Sequence, residues 1–400
     1  MITASKDLRT GRSIWESGPT PRVPHRRLSR SLAADVLVIG AGITGAMIAD
    51  GLSESGLSVV IADKRGPAKG STTASTALVQ SEIDTPLIHL ARKIGKPNAV
   101  RAWRRSKLAV DAISARLREI GVPNVIRRDS LYLAGDLLDK DALANEHDAR
   151  KAAGLASRFL NSADLKSRFG LTRSAALLSY DSAVIDPRQA TLLLLKSACA
   201  RRAMTIYSPA EIAAIDVRER TATAANGHHI EFRHMVFATG YEMPDCVPRR
   251  GHQIISTYAM ATAPQKRRLW PEQCTIWEAS DPYLYLRTTP DGRIVCGGED
   301  EEFSDEEKRD ALLARKTKTL QRKLGRMIRG ADATADFAWC GSFGSSATGL
   351  PRIGAVPKMP HCWVALGYGG NGTTYARIAA DVICGALTGR PDVDADLYDF

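Results

Sequence analysis

The sequence predicts an α/β protein in which a parallel sheet covered by helices is interrupted by a second, antiparallel sheet. Ala34–Ile39 is a short apolar run rich in β-branched residues, typical of a strand buried on both faces, and glycines follow it directly. Between residues 86 and 170 apolar side chains recur at helical spacing. Ile254–Tyr258 and Tyr283–Leu286 have the composition of strands. A chain of 400 residues is long enough for two domains.

The first strand leads into the run Gly40-Ala41-Gly42-Ile43-Thr44-Gly45, which has the glycine spacing of a Rossmann-like dinucleotide site. Gly40 permits the tight turn, and Gly42 lets the backbone approach a pyrophosphate. Gly45 lets the following helix pack closely on the strand. The helix that starts at Ile43 then directs its N-terminal amides toward the phosphates. We therefore place Gly40, Gly42, Ile43, Thr44 and Gly45 at a cofactor.

A second predicted strand, Leu57–Ala62, ends at Asp63, 23 residues after Gly40. An acidic side chain at this position accepts hydrogen bonds from a ribose hydroxyl. We also place Lys64 beside this nucleotide. We interpret Lys64 and Arg65 as neighbours of Asp63 and not as residues that bind a 2′-phosphate. Strand, glycines, helix, second strand and acid occur in the required order, but this motif alone does not distinguish NAD from FAD.

The stretch Gly70–Ala77 is rich in small hydroxyl residues. Taken alone it is typical of an exposed loop. After a dinucleotide motif it can direct backbone and side-chain donors along a second part of an extended cofactor. We expect Gly70, Ser71 and Thr72 to contribute in this way.

Seven fragments follow one another along the chain: the Gly40–Gly45 motif, Gly70-Ser71-Thr72, Val184–Pro187, Val236–Gly240, Tyr285–Gly298, Gly349–Gly354 and Gly367–Thr374. In this order they resemble the D-amino-acid oxidase-like (DAO) family of FAD-dependent oxidoreductases over nearly the whole chain. The amine-oxidising members are the most similar, among them γ-glutamylputrescine oxidase, sarcosine oxidase and glycine oxidase. The resemblance implies FAD as the cofactor.

The C-terminal fragment follows the predicted strand Trp363–Leu366 and precedes a predicted helix that ends near Leu387, with Thr373 or Thr374 as its cap. The positive end of such a helix would stabilise the negative charge of a reduced flavin. The resemblance adds further cofactor-binding residues, namely Thr239, Gly240, Gly369, Gly370, Asn371, Gly372, Thr373 and Thr374.

The family has a discontinuous Rossmann-like FAD-binding domain with an inserted antiparallel-sheet substrate domain, and this chain can be divided in the same way. We assign residues 1–32 to a basic N-terminal extension. The FAD-binding domain is predicted to comprise residues 33–88, 175–247 and 338–392, and the substrate domain residues 89–174 and 248–337.

Composition and charge restrict the ligands, the cellular compartment and the membrane association that can be predicted for this chain. The net charge of +11 favours acidic ligands without choosing among phosphates, lipids and nucleic acid. The seven cysteines are widely spaced and odd in number, which argues against a disulfide framework or a metal site and favours a reducing cytoplasm. Arg26-Arg27 has the form of a twin-arginine export signal, but the residues after it are better interpreted as a folded strand and helix. We predict no transmembrane segment.

The candidate substrate-binding residues depend on the resemblance. Arg287 ends a strand where family members that bind amino acids place a carboxylate-binding arginine, and a guanidinium makes two parallel bonds to such a group. Tyr285, Tyr368 and Tyr258 could line the pocket, and His252 lies where the chain re-enters the substrate domain. Glycine oxidase-like members carry a second arginine before the Gly-Leu-Pro motif, whereas Gly341–Ser346 contains none, so carboxylate recognition is in doubt.

Sarcosine oxidase-like members attach their flavin through a cysteine just before this motif, and Cys340 lies near that position. A small buried cysteine is the more common interpretation, so we expect non-covalent FAD.

The predicted reaction is oxidation of the C–N bond of an amine or amino acid by hydride transfer to flavin N5. The imine would hydrolyse, and oxygen or another acceptor would reoxidise the flavin. An alternative is a flavin dehydrogenase of a hydroxy acid or polyol phosphate. A different class, a basic RNA-binding flavoprotein, is disfavoured because no aromatic residues interleave with the basic ones.

Overall fold

The computed structural model describes residues 2–3, 5–201, 204–248 and 251–400. The strands, numbered along the chain, are β1 (Arg9–Gly11), β2 (Leu32–Ile39), β3 (Val59–Ala62), β4 (Leu78–Val79), β5 (Ile126–Leu133), β6 (Ser157–Asn161), β7 (Ala175–Val184), β8 (Met204–Tyr207), β9 (Ile212–Asp216), β10 (Thr221–Ala224), β11 (His229–Phe237), β12 (His252–Thr262), β13 (Thr275–Glu278), β14 (Leu284–Thr288), β15 (Ile294–Glu301), β16 (Ala335–Ser346), β17 (Arg352–Ala355) and β18 (Cys362–Leu366).

The α-helices are numbered in the same way. They are α1 (Ile43–Leu52), α2 (Leu87–Ile94), α3 (Lys96–Glu119), α4 (Lys140–Ala152), α5 (Ser162–Phe169), α6 (Pro187–Ala200), α7 (Glu306–Met327) and α8 (Gly372–Leu387). Helices α1, α6 and α8 pack together, while α7 lies against β12, β15 and β16.

The first sheet is mostly parallel and has the strand order β17-β18-β11-β2-β3-β8. Strands β18, β11, β2, β3 and β8 run parallel, β17 is antiparallel to β18, and β9 and β10 extend from β11. The inner strand β2 is buried from Val36 onward, as its uninterrupted apolar run predicts. This sheet confirms the Rossmann-like part of the predicted α/β fold.

The second sheet is mostly antiparallel and has the order β1-β16-β12-β15-β14-β13-β5-β7-β4, with β6 paired to β7. Strand β13 runs parallel to β5, and the other neighbours are antiparallel. Tyr258 pairs with Cys340 in the middle of the long β12–β16 ladder. The predicted strands at 254–258 and 283–286 therefore lie within β12 and largely within β14.

Several strands cross the predicted division of the chain. Strand β7 and most of β16 fall in segments assigned to the FAD-binding domain, yet both belong to the antiparallel sheet. The segment 86–170 contains β5 and β6 besides its helices. Long-range strand pairing decides which sheet contains each of these strands, because local periodicity does not indicate it.

The N-terminal segment is part of the folded protein. Strand β1 pairs with β16, so the antiparallel sheet includes a strand from the predicted N-terminal extension. Trp15 is buried, and its indole N–H donates to the Ser75 carbonyl at 2.7 Å. The segment thus holds the hydroxyl-rich stretch in place.

Among the residues that the structure describes, no helix is both long and apolar enough to cross a bilayer. Nor do the described histidine, cysteine and carboxylate side chains form a cluster that could hold a metal ion.

Candidate functional site

A cavity of about 640 Å³ lies between the two sheets. One wall is formed where β2, β3 and β11 end, at Ile39, Ala62 and Ala238. The opposite wall comes from the antiparallel sheet, including Thr257 of β12 and Phe343 of β16. Ligands of open α/β sheets bind at the carboxyl ends of parallel strands, which is where this cavity lies.

The glycine motif has the geometry that its sequence predicts. Gly40 adopts φ +114°, and a Cβ on it would lie 2.4 Å from the Ala238 carbonyl oxygen. Gly42 faces the cavity, with only the Thr72 hydroxyl within 4 Å of where a Cβ would be. A Cβ on Gly45 would lie 1.9 Å from the Gly40 carbonyl oxygen, so Gly45 supports close packing and does not line the cavity.

The cavity continues past Asp63 at the end of β3. Its carboxylate accepts the Ala41 N–H at 2.7 Å and the Arg65 and Gly66 N–H groups at 2.8 and 2.6 Å. These bonds fix the acid beside the glycine turn, where a ribose hydroxyl would reach it.

Glu242 lines the cavity next to Lys64 and Arg65, and the sequence did not indicate it. Lys64 and Arg65 pair with its carboxylate at 3.0 and 2.6 Å, and the Lys6 N–H donates to it at 2.8 Å. Burial opposes ionisation, but the hydrogen bond from Arg65 and those from Lys6 and Lys64 hold the pKa of Glu242 below its ordinary value. This cluster fastens the N-terminal segment over one end of the cavity, where Leu8 also lines it.

The predicted cofactor-binding residues are mostly brought together. Those that line the cavity are Gly40, Gly42, Ile43, Thr44, Asp63, Lys64, Gly70, Ser71, Thr72, Thr239, Gly240, Gly369, Gly370, Gly372 and Thr373. Thr72 also accepts the Ile43 N–H at 3.1 Å, which satisfies one amide at the start of α1.

Two C-terminal residues that were predicted to bind the cofactor, Asn371 and Thr374, do not line the cavity. Asn371 donates to the Glu82 carbonyl at 2.6 Å, and the Thr374 hydroxyl donates to the Gln80 carbonyl at 2.9 Å. Both are buried and hold the segment 80–82 instead of facing the cavity. Neither threonine caps α8, because Asn371 occupies the N-cap position and makes no side-chain capping bond.

The substrate candidates separate into two groups. Tyr285 and Tyr368 line the cavity. Tyr258 does not, because neighbouring side chains on a strand point to opposite faces: Thr257 faces the cavity, and the Tyr258 hydroxyl donates to the Arg309 carbonyl at 3.3 Å.

Arg287 does not occupy a carboxylate-binding position. It is 2% exposed, and its Nη1 atom donates to the carbonyls of Thr76, Ala77 and Ile185 at 3.1, 2.8 and 2.8 Å. Burial lowers the pKa of Arg287 to about 9, and nearby Asp186 partly opposes that shift. The guanidinium therefore joins backbone segments behind the cavity wall.

His252 also lies outside the cavity lining. Its ring packs so closely on the Gly367 turn that a Cβ there would come within 2.2 Å of Nδ1. Burial, with a smaller contribution from Arg352, lowers the pKa of His252. The structure gives it a packing role.

Cys340 faces away from the cavity. Its thiol contacts the Thr10 carbonyl at 3.8 Å and Asp310 at 3.4 Å, and burial raises its pKa to about 11. A thiol in this position is protonated near neutral pH and lies outside the cavity lining.

We expect denaturation of the purified protein to release its flavin because Cys340 neither lines the cavity nor ionises readily. The measurement is flavin absorbance in the supernatant and pellet after acid precipitation. Colour retained on the precipitated wild-type chain but lost in Cys340→Ser would contradict this prediction.

The sheet-side compartment is the part of the cavity walled by Tyr132, Trp277, Tyr283, Tyr285 and Asp300 together with Asp84. The Tyr132 and Trp277 rings stack with centroids 3.7 Å apart, and Tyr283 and Tyr285 lie 5.8 Å apart. Of these residues only Tyr285 was predicted from the sequence. The others are hard to recognise because the compartment is built from four strands, β5, β13, β14 and β15, and from loop residues.

Two acids dominate the electrostatics of the sheet-side compartment. Burial raises the pKa of Asp84 to about 6; the Gly370 N–H opposes this shift, and Asp300 adds to it. Burial likewise raises the pKa of Asp300, against hydrogen bonds from Thr257 and Tyr283. The Tyr283 hydroxyl donates to Asp300 at 2.7 Å.

The charged lining residues are distributed unevenly. Among the described residues that line the cavity, the basic ones are Lys64 and Arg65, both at the β3 end and paired with Glu242. The lining acids on the antiparallel-sheet side are Asp84, Glu278, Asp281, Asp300 and Glu302. This side of the cavity therefore suits a cation and provides no lysine or arginine for an anion.

Comparisons with known proteins agree with this geometry. The family model described as DAO, FAD dependent oxidoreductase, matches residues 35–385. No curated protein matches the sequence.

Solved structures with the same fold have low sequence identity. Glycine oxidase from Geobacillus kaustophilus is 17% identical with a TM-score of 0.73, covering 90% of this chain and 96% of that one. Iminodiacetate oxidase from Chelativorans sp. BNC1 is 21% identical at 0.71, covering 91% and 98%. FAD-bound L-α-glycerophosphate oxidase from Mycoplasma pneumoniae is 16% identical at 0.74, covering 89% and 95%.

Proposed function

Because the chain belongs to the DAO family of FAD-dependent oxidoreductases, we propose that it oxidises the C–N bond of an amine that carries no anionic group near its reacting carbon. The observation that carries this proposal is the sheet-side compartment, which has acids and aromatic rings and no basic side chain among its described lining residues. A protonated amine is attracted by the acids and can contact the faces of Tyr132, Trp277 and Tyr283.

The cofactor side of the cavity is the part lined by the glycine motif, Asp63, Gly70–Thr72, Gly369, Gly370, Gly372 and Thr373. Its residues fit FAD. Gly40 permits the tight turn, Gly42 leaves the backbone open to a pyrophosphate, Asp63 would hold a ribose hydroxyl, and Gly370 and Thr373 line the cavity at the start of α8. When bound, FAD would supply the acceptor for a hydride, that is, for a hydrogen nucleus together with its electron pair.

The chain's own contribution is binding and exclusion of water. Aromatic walls hold the carbon–hydrogen bond in one orientation, and the acids of the sheet-side compartment attract the protonated nitrogen. Water hydrolyses the imine product, and oxygen or another acceptor takes up the electrons.

The distribution of charge disfavours substrates that carry a carboxylate or a phosphate. α-Amino acids and hydroxy acids present a carboxylate, and polyol phosphates present a phosphate. Either group would lie beside Asp84 and Asp300 without the arginine or lysine that normally pairs with it. Likeness to glycerophosphate oxidase at 16% identity concerns the fold.

The test is anaerobic bleaching of the purified flavoprotein. Separate additions compare alkylamines, the alcohols with the same carbon skeletons, α-amino acids, hydroxy acids and glycerol phosphate. We expect bleaching with an amine and none with the matched alcohol or the anionic compounds. Bleaching by a hydroxy acid or glycerol phosphate alone would refute the proposal and favour C–O oxidation.

A further inference from the structure

We infer that Asp84 binds the substrate ammonium in the sheet-side compartment and accepts its proton before the hydride leaves. This inference rests on the proposed function. It assigns a proton acceptor to the proposed reaction.

Asp84 lies where the cofactor side meets the sheet-side compartment. Its Oδ2 accepts the Gly370 N–H at 2.7 Å. A Cβ on Gly369 or Gly370 would come within 2.8 or 2.7 Å of its carboxylate oxygens, so these glycines permit the close contact. Because Gly370, Gly372 and Thr373 line the cofactor side, the carboxylate adjoins the place where the reaction must occur.

The carboxylate of Asp84 is available to a ligand. Asp84 lines the cavity, and a substantial part of its surface is accessible. Among the described residues, Gly370 supplies the one hydrogen bond that it accepts, and no lysine or arginine pairs with it. Its Oδ1 remains free to accept an N–H from a substrate.

Asp300 is less suited to this role. One of its oxygens accepts the Tyr283 hydroxyl at 2.7 Å, and the other, Oδ1, has almost no accessible surface. Asp300 therefore provides negative potential that attracts an ammonium, and Asp84 provides the free oxygen.

The groups that face Asp84 are acidic or phenolic. Asp300 comes from β15, Tyr283 from the residue before β14, Tyr132 from β5, Tyr241 from the loop after β11 and Tyr375 from α8. All of these phenols have raised pKa values because they are buried, so they remain neutral. With its own pKa raised to about 6, Asp84 can both take up and release a proton near neutral pH.

An amine needs this step because its ammonium form, with a pKa of about 10, has no nitrogen lone pair to assist loss of a hydride. In the first step an N–H bond breaks and an O–H bond forms: R–CH₂–NH₃⁺ and the Asp84 carboxylate give R–CH₂–NH₂ and the neutral acid. The C–H bond then breaks with its electron pair, which reduces FAD and leaves the substrate as an iminium ion. Water hydrolyses the iminium to a carbonyl compound and ammonium.

The test is stopped-flow measurement of flavin reduction at saturating amine as a function of pH, using the holoenzyme. In the wild type, the rate should fall as pH falls and Asp84 becomes protonated. In Asp84→Asn, which keeps an acceptor oxygen for Gly370, the rate at pH 7 should fall by about 10²- to 10⁴-fold and this acid transition should disappear. As pH approaches that of the free amine's ionisation, the variant should recover toward the wild-type rate.

The exposed Asp148 on α4 gives a matched control, Asp148→Asn, which should behave as the wild type. Unchanged rate and pH profile in Asp84→Asn would overturn the inference while the proposed function stands. A rate lost equally at all pH values would indicate a structural role and also overturn it. If the variant is isolated without flavin, Asp84→Ser replaces it, and a pH-independent wild-type rate would by itself refute the role of Asp84. Failure of every amine to bleach the wild-type flavin would instead refute the proposed function.

Discussion

Replacing Arg150 with methionine is expected to lower the free energy of unfolding by about 3–5 kcal/mol. The Arg150 side chain is buried and pairs with Glu82 at 2.7 Å and Glu146 at 2.8 Å. Its guanidinium lies 4.5 Å from the centroid of the Trp103 ring. Methionine has a similar length but no charge, so it leaves two buried carboxylates without their cation. Urea unfolding of the FAD-saturated protein, followed by circular dichroism, measures the loss.

Arg158 on β6 provides the control, because it is exposed and Arg158→Met should change stability by no more than about 0.5 kcal/mol. Adding Glu82→Gln and Glu146→Gln to Arg150→Met should recover part of the loss, since the unpaired charges are then gone. A change below about 1 kcal/mol at pH 7 would show that the cluster contributes little.

This cluster also supports the sheet-side compartment. Glu82 accepts the Ser130 hydroxyl, and Ser130 in turn accepts the Trp277 indole N–H at 3.1 Å. A chain of hydrogen bonds therefore runs from the buried arginine to an aromatic wall of the cavity. We expect Arg150→Met to loosen that wall as well as to destabilise the fold.

Gly40→Ala is expected to give a protein that is isolated without flavin or binds FAD at least about 100-fold more weakly. The alanine would have to adopt φ +114°, a strained backbone conformation that costs about 1–3 kcal/mol, with its Cβ 2.4 Å from the Ala238 carbonyl oxygen. Relief of that contact moves either the glycine turn or the Ala238–Thr239 segment, and both line the cofactor side. Flavin absorbance per chain after gel filtration, followed by titration with FAD, gives the result.

Gly56→Ala separates backbone strain from loss of the site. Gly56 also has a positive φ, +78°, but nothing lies within 4 Å of where a Cβ would be, and it does not line the cavity. This variant should lose about 1–2 kcal/mol of stability and keep its flavin. Equal flavin content in both variants would contradict the assigned role of Gly40.

The cofactor side could be predicted in detail because its determinants are local. A strand, three glycines and a helix occupy consecutive positions, and Asp63 closes the next strand, so spacing alone places them. The glycine conformations agree with this prediction because a turn this tight has few solutions. The resemblance then extended the site to distant fragments, of which Gly369, Gly370 and Thr373 do line the cavity.

The substrate side was decided by the tertiary structure. Tyr258 and Thr257 are adjacent in sequence, and only the pairing of β12 shows that Thr257 faces the cavity. Arg287 has the residue type that suits a carboxylate, yet the surrounding segments bring three backbone carbonyls to its guanidinium.

The sequence by itself determined the dinucleotide-binding strand, turn and helix, the acid at the end of β3 and the family's cofactor. It did not determine that Asp84, from the segment before α2, meets Asp300 of β15 and the glycine turn before α8. The physical reason is that turns and strand ends follow from neighbouring residues, whereas a charged compartment depends on which distant side chains face one cavity. Only the packing of the two sheets decides that arrangement.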